Sequence, residues 1–361
     1  GANNVAIGST ALSANTTGCF NTALGTSTLL VNQTGICNVA IGASALRCNT
    51  ASNNIAVGVQ PLYYNTSGIQ NTAIGTKALF CNTTANNNTA VGYNSLLNNT
   101  TGADNTAIGR DALKLNTTAA QNVAIGTCAL YTTTTGANNT SVGNYSSKLN
   151  TTGLNNVSVG YAALCSNTTG QQNVAVGKSA GDVTTTGSNN IMIGKGSDAD
   201  AVGTNNVIAM GENVVSILNA FTFGAGGNDS RIAFGATSIT APSDMRLKED
   251  IQDDTAGLSF INDLRPVTYK WRQEKDIPEE MRTHVAGSTK RYNNDKVNHG
   301  FIAQEVKEAI DKHPELKDGF DMWTEESTMD GRQRVAEGAL IPMLVKAIQE
   351  LKAEIDELKN K

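Results

Sequence analysis

The sequence predicts a mainly β chain: an N-terminal solenoid of 17-residue repeats, then a smaller α+β domain ending in a long coiled-coil helix. Three observations carry this reading. An asparagine stands four residues before a glycine twelve times in succession, the intervening triplet is apolar or small in every copy, and the composition changes abruptly at Ser243. One such unit cannot bury its own apolar face, whereas stacked copies build a continuous core, so a fixed short period means a solenoid.

The recurring asparagines are Asn4, Asn21, Asn38, Asn54, Asn71, Asn88, Asn105, Asn122, Asn139, Asn156, Asn173 and Asn190. Only one interval between the following glycines, Gly42 to Gly58, is sixteen residues. The triplets, such as Val5-Ala6-Ile7 and Ile55-Ala56-Val57, carry Val, Ile, Leu or Thr at their ends, which favours strand, around a small central residue. Four residues after the glycine stand Leu12, Leu29, Leu46, Leu62, Leu79, Leu96, Leu113, Leu130 and Leu164, a second buried position. Each repeat reads as one coil of two short strands.

Corners such as Asn15-Thr16-Thr17-Gly18 and Asn150-Thr151-Thr152-Gly153 consist of residues that tolerate left-handed backbone and bond locally. Their turn chemistry also accounts for the many formal Asn-x-Thr glycosylation triplets. The twelve asparagines are expected to stack as an internal amide ladder in which each coil sets the register of the next. At about 4.8 Å per coil, twelve coils make a rod on the order of 60 Å long. Such a rod is a spacer or a platform.

Residues 1–242 hold 8 of the 27 Lys and Arg and 7 of the 32 Asp and Glu, so charge is concentrated in 243–361, where the net charge is -6. No basic stripe awaits a phosphate backbone, and nucleic acid is excluded as a partner. The six cysteines fall in differing columns of the repeat; only Cys48 and Cys81 share one, two coils apart and beyond bridging distance, which predicts free thiols. No apolar run reaches membrane length, and membrane insertion is not expected. Gly1 falls inside a repeat, which reads as a piece of a longer protein. Beyond Gly194 the repeat decays through a Gly-rich, strand-like neck, giving an organisation of rod 1–194, neck 195–242 and terminal domain 243–361.

The terminal domain opens with Ser243-Asp244-Met245-Arg246-Leu247-Lys248 and Ile251, continues with Leu264-Arg265-Pro266-Val267-Thr268-Tyr269-Lys270-Trp271 and His299-Gly300-Phe301-Ile302-Ala303-Gln304-Glu305-Val306, and closes with a helix from about Glu337. In this order the four blocks resemble the endosialidase-type intramolecular chaperone, a domain that terminates phage tail spikes and fibres and some cellular proteins. The resemblance covers 243–361. It implies a domain that trimerises the chain and then cuts itself off, and the rod resembles trimeric adhesin heads.

The chemistry implied by the resemblance is a Ser-Lys dyad that makes the domain a single-turnover serine autoprotease. Ser243 is the nucleophile, Lys248 its base, and the scissile bond joins Pro242 to Ser243, with Asp244, Arg246, His299 and Gln304 in support. A serine hydroxyl attacks only once a base takes its proton, and a lysine serves only when desolvation or neighbouring positive charge keeps its amine neutral. Read without the resemblance, Ser243 simply caps a helix with Asp244 in its first turn. His299 has no second His or Cys at ligand spacing, so no metal and no cofactor are expected.

In the last helix Ile341, Leu344, Ile348, Leu351, Ile355 and Leu358 alternate at spacings of three and four, a coiled-coil seam. Ile and Leu in these places alone favour two strands; the resemblance implies three. The leading function is therefore a homotrimeric tail fibre or spike segment on a virion, assembled in the host cytoplasm and joined to the rest of the fibre through its N-terminal side. A cellular trimeric adhesin or extracellular filament at the cell surface is the alternative. A glycan depolymerase is disfavoured, because residues 1–242 contain no His, no Trp and only scattered acids. A host-surface glycan or protein is the expected receptor, and Leu30, Tyr63, Phe80, Leu97 and Tyr131, sharing the column five after the glycine, form either a binding stripe or a contact with a neighbouring chain.

Overall fold

The structure, a computed structural model, describes the whole chain except residues 227, 237–238, 241–242, 244, 246–247, 282, 317–319, 321 and 326–332. It divides into two units, Gly1–Ser243 and Asp244–Lys361. The first is a β-solenoid and the second an α+β domain.

In the rod, each Asn-to-Gly triplet forms a three-residue strand, from Val5–Ile7 to Ile191–Ile193, paired in parallel with the equivalent triplet of the next coil. The register is one repeat throughout, as in Val5↔Thr22 and Thr106↔Val123. The sixteen-residue coil keeps it, Val39↔Ile55, because the missing residue comes out of the corner between Asn49 and Asn54 and leaves the strand intact. Nor does the parallel ladder stop at Gly194. It runs on through Val207–Glu212 and Ala220–Ala225 before Asn228–Ala233 pairs antiparallel and ends the sheet.

From the second coil onward the central residue of each triplet is buried, while its Val, Ile, Leu or Thr flanks face outward. A stripe of branched apolar side chains, among them Ile7, Leu24, Ile74 and Ile125, therefore lies exposed along the sheet. The glycine closing each triplet is required by geometry: Gly109 has φ +133, and a Cβ there would stand 2.6 Å from the Gly126 carbonyl oxygen.

The expected second strand is absent from the regular coils, and the reason lies in the leucine column. Leu29, Leu79 and Leu113 are fully buried but adopt φ of 45, 51 and 49. Left-handed backbone costs a residue with a Cβ about 1–2 kcal/mol, and full burial of a leucine side chain returns about 1.5–3 kcal/mol, so burial wins and the chain turns instead of extending. A second short ladder appears only where the repeat has decayed, between Asp198–Ala199 and Val215–Ser216.

Where the leucine column is interrupted, the core is repaired from the opposite column. Ser147 replaces leucine, and its hydroxyl lies 2.8 Å from Ser158, which also meets Ser141 and Ser146, so buried hydroxyls satisfy one another. Gly181 replaces leucine next, and Met192 replaces the small strand residue. A Cβ on Gly181 would stand 2.8 Å from Met192 Cε, so the long side chain fills the space the leucine left. At Asp198 the column ends on a buried carboxylate that accepts the Val183 and Ala199 N–H groups, and burial pushes its pKa up to about 6.

The second unit packs α1 (Leu258–Asp263), α2 (Ala303–Lys312) and α3 (Ile341–Lys359) around Phe260, Val306, Ile310, Met322 and Met343. Two small antiparallel pairs flank them, Val267–Tyr269 with Asn298–Gly300 and Trp323–Glu325 with Gln333–Val335.

The repaired column yields a double-mutant test by chemical denaturation of the rod. Met192→Ala is expected to cost about 2–5 kcal/mol by leaving a cavity, and Gly181→Leu to destabilise by overpacking. The double variant restores the leucine–alanine pair of the other coils and should recover most of the loss; additive losses would contradict the repair.

Candidate functional site

Two sets of residues have functional weight, the asparagine ladder that orders the rod and the segment from Ser243 onward. In the ladder, every asparagine from Asn21 to Asn173 is buried. Its backbone N–H donates to the Oδ1 of the asparagine one coil earlier, as from Asn38 to Asn21 at 3.0 Å and from Asn105 to Asn88 at 3.0 Å. Its Nδ2 donates to a corner carbonyl, Ala119 for Asn105 at 2.9 Å, and in several coils also to the neighbouring amide, Asn88 Oδ1 at 3.2 Å. The contact is thus mainly backbone to side chain, with the amide–amide bond secondary.

A second amide column went unread in the sequence. Asn65, Asn82, Asn99 and Asn116 each donate from Nδ2 to the Oδ1 one coil earlier, at 2.6–3.0 Å. Asparagine seven residues after the glycine in most coils was its signal, masked by its place in a turn. Where Thr133 and Thr184 interrupt it, Asn116 Oδ1 and Asn167 Oδ1 are left buried without a partner.

Of the residues implied in cleavage, Ser243 is exposed and ends the first unit, while Lys248 is exposed in the second, where its N–H donates to the Met245 carbonyl at 3.1 Å. Pro242, Asp244 and Arg246 lie outside the described residues. His299 sits opposite Thr268 and lines a cavity of about 450 Å³ together with Pro266, Phe301 and Glu337. Gln304 is exposed in the first turn of α2. Strand pairing brings the second and third sequence blocks together, and Arg265 locks them. Its Nε donates to Glu305 Oε2 at 3.0 Å and its Nη2 to Oε1, a two-pronged pair that holds the Glu305 carboxyl below the usual range.

α3 shows two faces. Met343 and Ala347 are buried, and on the same side Glu350 accepts the Leu258 N–H at the start of α1, at 2.7 Å. Ile341, Leu344, Ile348, Leu351, Ile355 and Leu358 remain exposed, Ile348 at 65%. The seam therefore has no partner within the described chain.

Residues 243–314 match the family model for the chaperone of endosialidase. The match begins at Ser243 and covers α1, the Val267–Tyr269 and Asn298–Gly300 pair and α2; α3 lies beyond it. No curated protein and no solved structure matches the chain. Among the described residues no group of three or more His, Cys, Asp and Glu side chains stands ready for a metal ion, and no helix is long and apolar enough to cross a membrane.

Within the chaperone segment, His313 is a titrating joint that sequence reading missed, although the chain has only three histidines. It is buried edge-on against Phe260, with Nε2 3.0 Å from Asp263 Oδ2 and Nδ1 2.9 Å from Glu315 Oε1. Burial works against the charged ring, yet the two carboxylates prevail and hold its pKa above the ordinary 6.5. A group whose folded-state pKa is raised stabilises the fold fully below its unfolded value and ceases to as pH rises through the folded one. Both tryptophans belong to this unit, so their fluorescence reports its unfolding. The thermal midpoint should fall as pH rises from 6.5 through the raised value, and His313→Gln should flatten that slope; an unchanged slope in the variant would contradict the assignment.

Proposed function

We propose that this chain is a segment of a homotrimeric phage-type tail fibre or spike, whose C-terminal domain trimerises the rod and then cleaves itself off between Pro242 and Ser243. The single observation that carries the reading is the arrangement: a chaperone-of-endosialidase match that starts at Ser243, directly after a β-solenoid. Two unpartnered apolar surfaces support the trimer. One is the exposed seam of α3 and the other the branched stripe along the rod, and both repeat at the spacing that a second and third copy of the same chain would match. A cellular adhesin with the same terminal domain is the second reading, favoured only by the rod's coil pattern.

In this reading Ser243 Oγ attacks the Pro242 carbonyl carbon while Lys248 takes the hydroxyl proton and returns it to the Ser243 nitrogen as the peptide bond breaks; an ester forms, and water hydrolyses it to the free acid and the serine hydroxyl. Both Ser243 and Lys248 are exposed in the single chain. A lysine acts as a base only through a neutral amine, and in this reading burial between chains supplies it and switches the reaction on. Cleavage then follows assembly.

Mass spectrometry of freshly expressed protein should find fragments 1–242 and 243–361 from the parent, and only full-length chains from Ser243→Ala and Lys248→Ala. Ser288→Ala should cleave like the parent. Equal cleavage in all four refutes the dyad, and an uncut parent that light scattering finds trimeric leaves the domain as a permanent cap.

A further inference from the structure

Residues 1–103 contain no Asp or Glu and only two cations, Arg47 and Lys77. Both cations sit on one aromatic cluster. The Tyr63 ring stacks on Phe80 across the coil boundary, centroids 5.3 Å apart, and Tyr64 meets both edge-on at 4.7 and 5.1 Å. Arg47 lies 5.4 Å from the Tyr63 centroid and donates from Nη1 to its hydroxyl at 2.7 Å, while Lys77 Nζ lies 5.6 Å from the Phe80 centroid. Tyr64 is 47% exposed. In a stretch otherwise without charge, the two positive groups are held beside a flat apolar surface.

We propose that Arg47, Tyr63, Tyr64, Lys77 and Phe80 form a binding site on the rod for a carboxylate-bearing polysaccharide. An acidic sugar combines the features this surface complements: a C–H face that lies on an aromatic ring, and a planar carboxylate that fits the guanidinium fork and the ammonium beside it. The tyrosine hydroxyl occupies one of the five N–H donors of Arg47 and leaves the rest for the ligand. The motif recurs along the rod. Lys114 stands 5.4 Å over Tyr131, and Lys148 5.4 Å over Tyr145, which is edge-on to Tyr161. A ligand with a repeating unit, lying along the stack of coils, would meet these in turn and gain from each. Lys114 is partly neutralised by Asp111 at 3.1 Å, so the first cluster, with two cations and no acid, is the strongest subsite. An acidic polypeptide offers the charge without the apolar face beside it, which is why the sugar is favoured.

The test is calorimetric titration of the intact chain with polygalacturonate, alongside neutral dextran and poly-glutamate. Polygalacturonate is expected to bind in a salt-dependent way and dextran not to bind. Arg47→Gln with Lys77→Gln should weaken binding by at least about tenfold through lost charge-assisted bonds, and Tyr64→Ala by about fivefold or more through the lost ring face. Lys178→Gln, on a later coil, should leave it unchanged. Absence of polygalacturonate binding overturns the proposal, as does poly-glutamate binding equally well or affinity indifferent to Tyr64→Ala. Light scattering on the same samples reports trimer assembly separately, so a failed site and a failed fibre reading are distinguished.

Discussion

The rod depends on one repeated interaction, the donation of each recurring asparagine's backbone N–H to the side-chain oxygen of the asparagine one coil before. A coil of this solenoid touches only its two neighbours, so stability is a sum of single-coil and neighbour terms. Each buried bond is worth only about 1 kcal/mol net, yet an unmatched buried amide costs more than that, so slipping the register by one residue is penalised in every coil at once. Eleven small terms acting together specify a rod that bulky core packing, in a chain with 5% aromatic residues, does not.

The same one-dimensional order leaves the register degenerate. Nothing in a single coil distinguishes its proper neighbour from the next, since Thr106-Ala107-Ile108 repeats Thr72-Ala73-Ile74. In the proposed reading, a terminal domain that fixes the starting register before the coils propagate answers that degeneracy. Within the second unit, Arg265 ties the strand block to α2 through Glu305, and Glu350 ties α3 to α1 through the Leu258 N–H. The seam of α3 stays exposed.

Much of this was legible from the residues. The period gave away the solenoid because Asn and Gly each have one physical role, a buried amide and a positive-φ stop, that no other residue fills. The blocks opening at Ser243, Leu264 and His299 gave away the chaperone match over 243–314. The sheet's continuation past Gly194 was hidden because Val207–Glu212 and Ala220–Ala225 keep the strand and glycine but lose the asparagine from which the repeat was counted. The single strand per coil was hidden because leucine at φ near 50 contradicts its own propensity. Second partners were equally out of reach: that His313 meets Asp263 fifty residues away, or that Met192 fills the space at Gly181, follows from folding alone.

Amide hydrogen exchange of the rod tests the central claim most directly. The N–H groups of Asn38, Asn54, Asn71, Asn88, Asn105, Asn122 and Asn139 point at buried amide oxygens and should exchange slowest and at similar rates, coil after coil. Exchange of these groups as fast as in an unstructured peptide, while the rest of the rod stays protected, would show that the coils hold their register by other means.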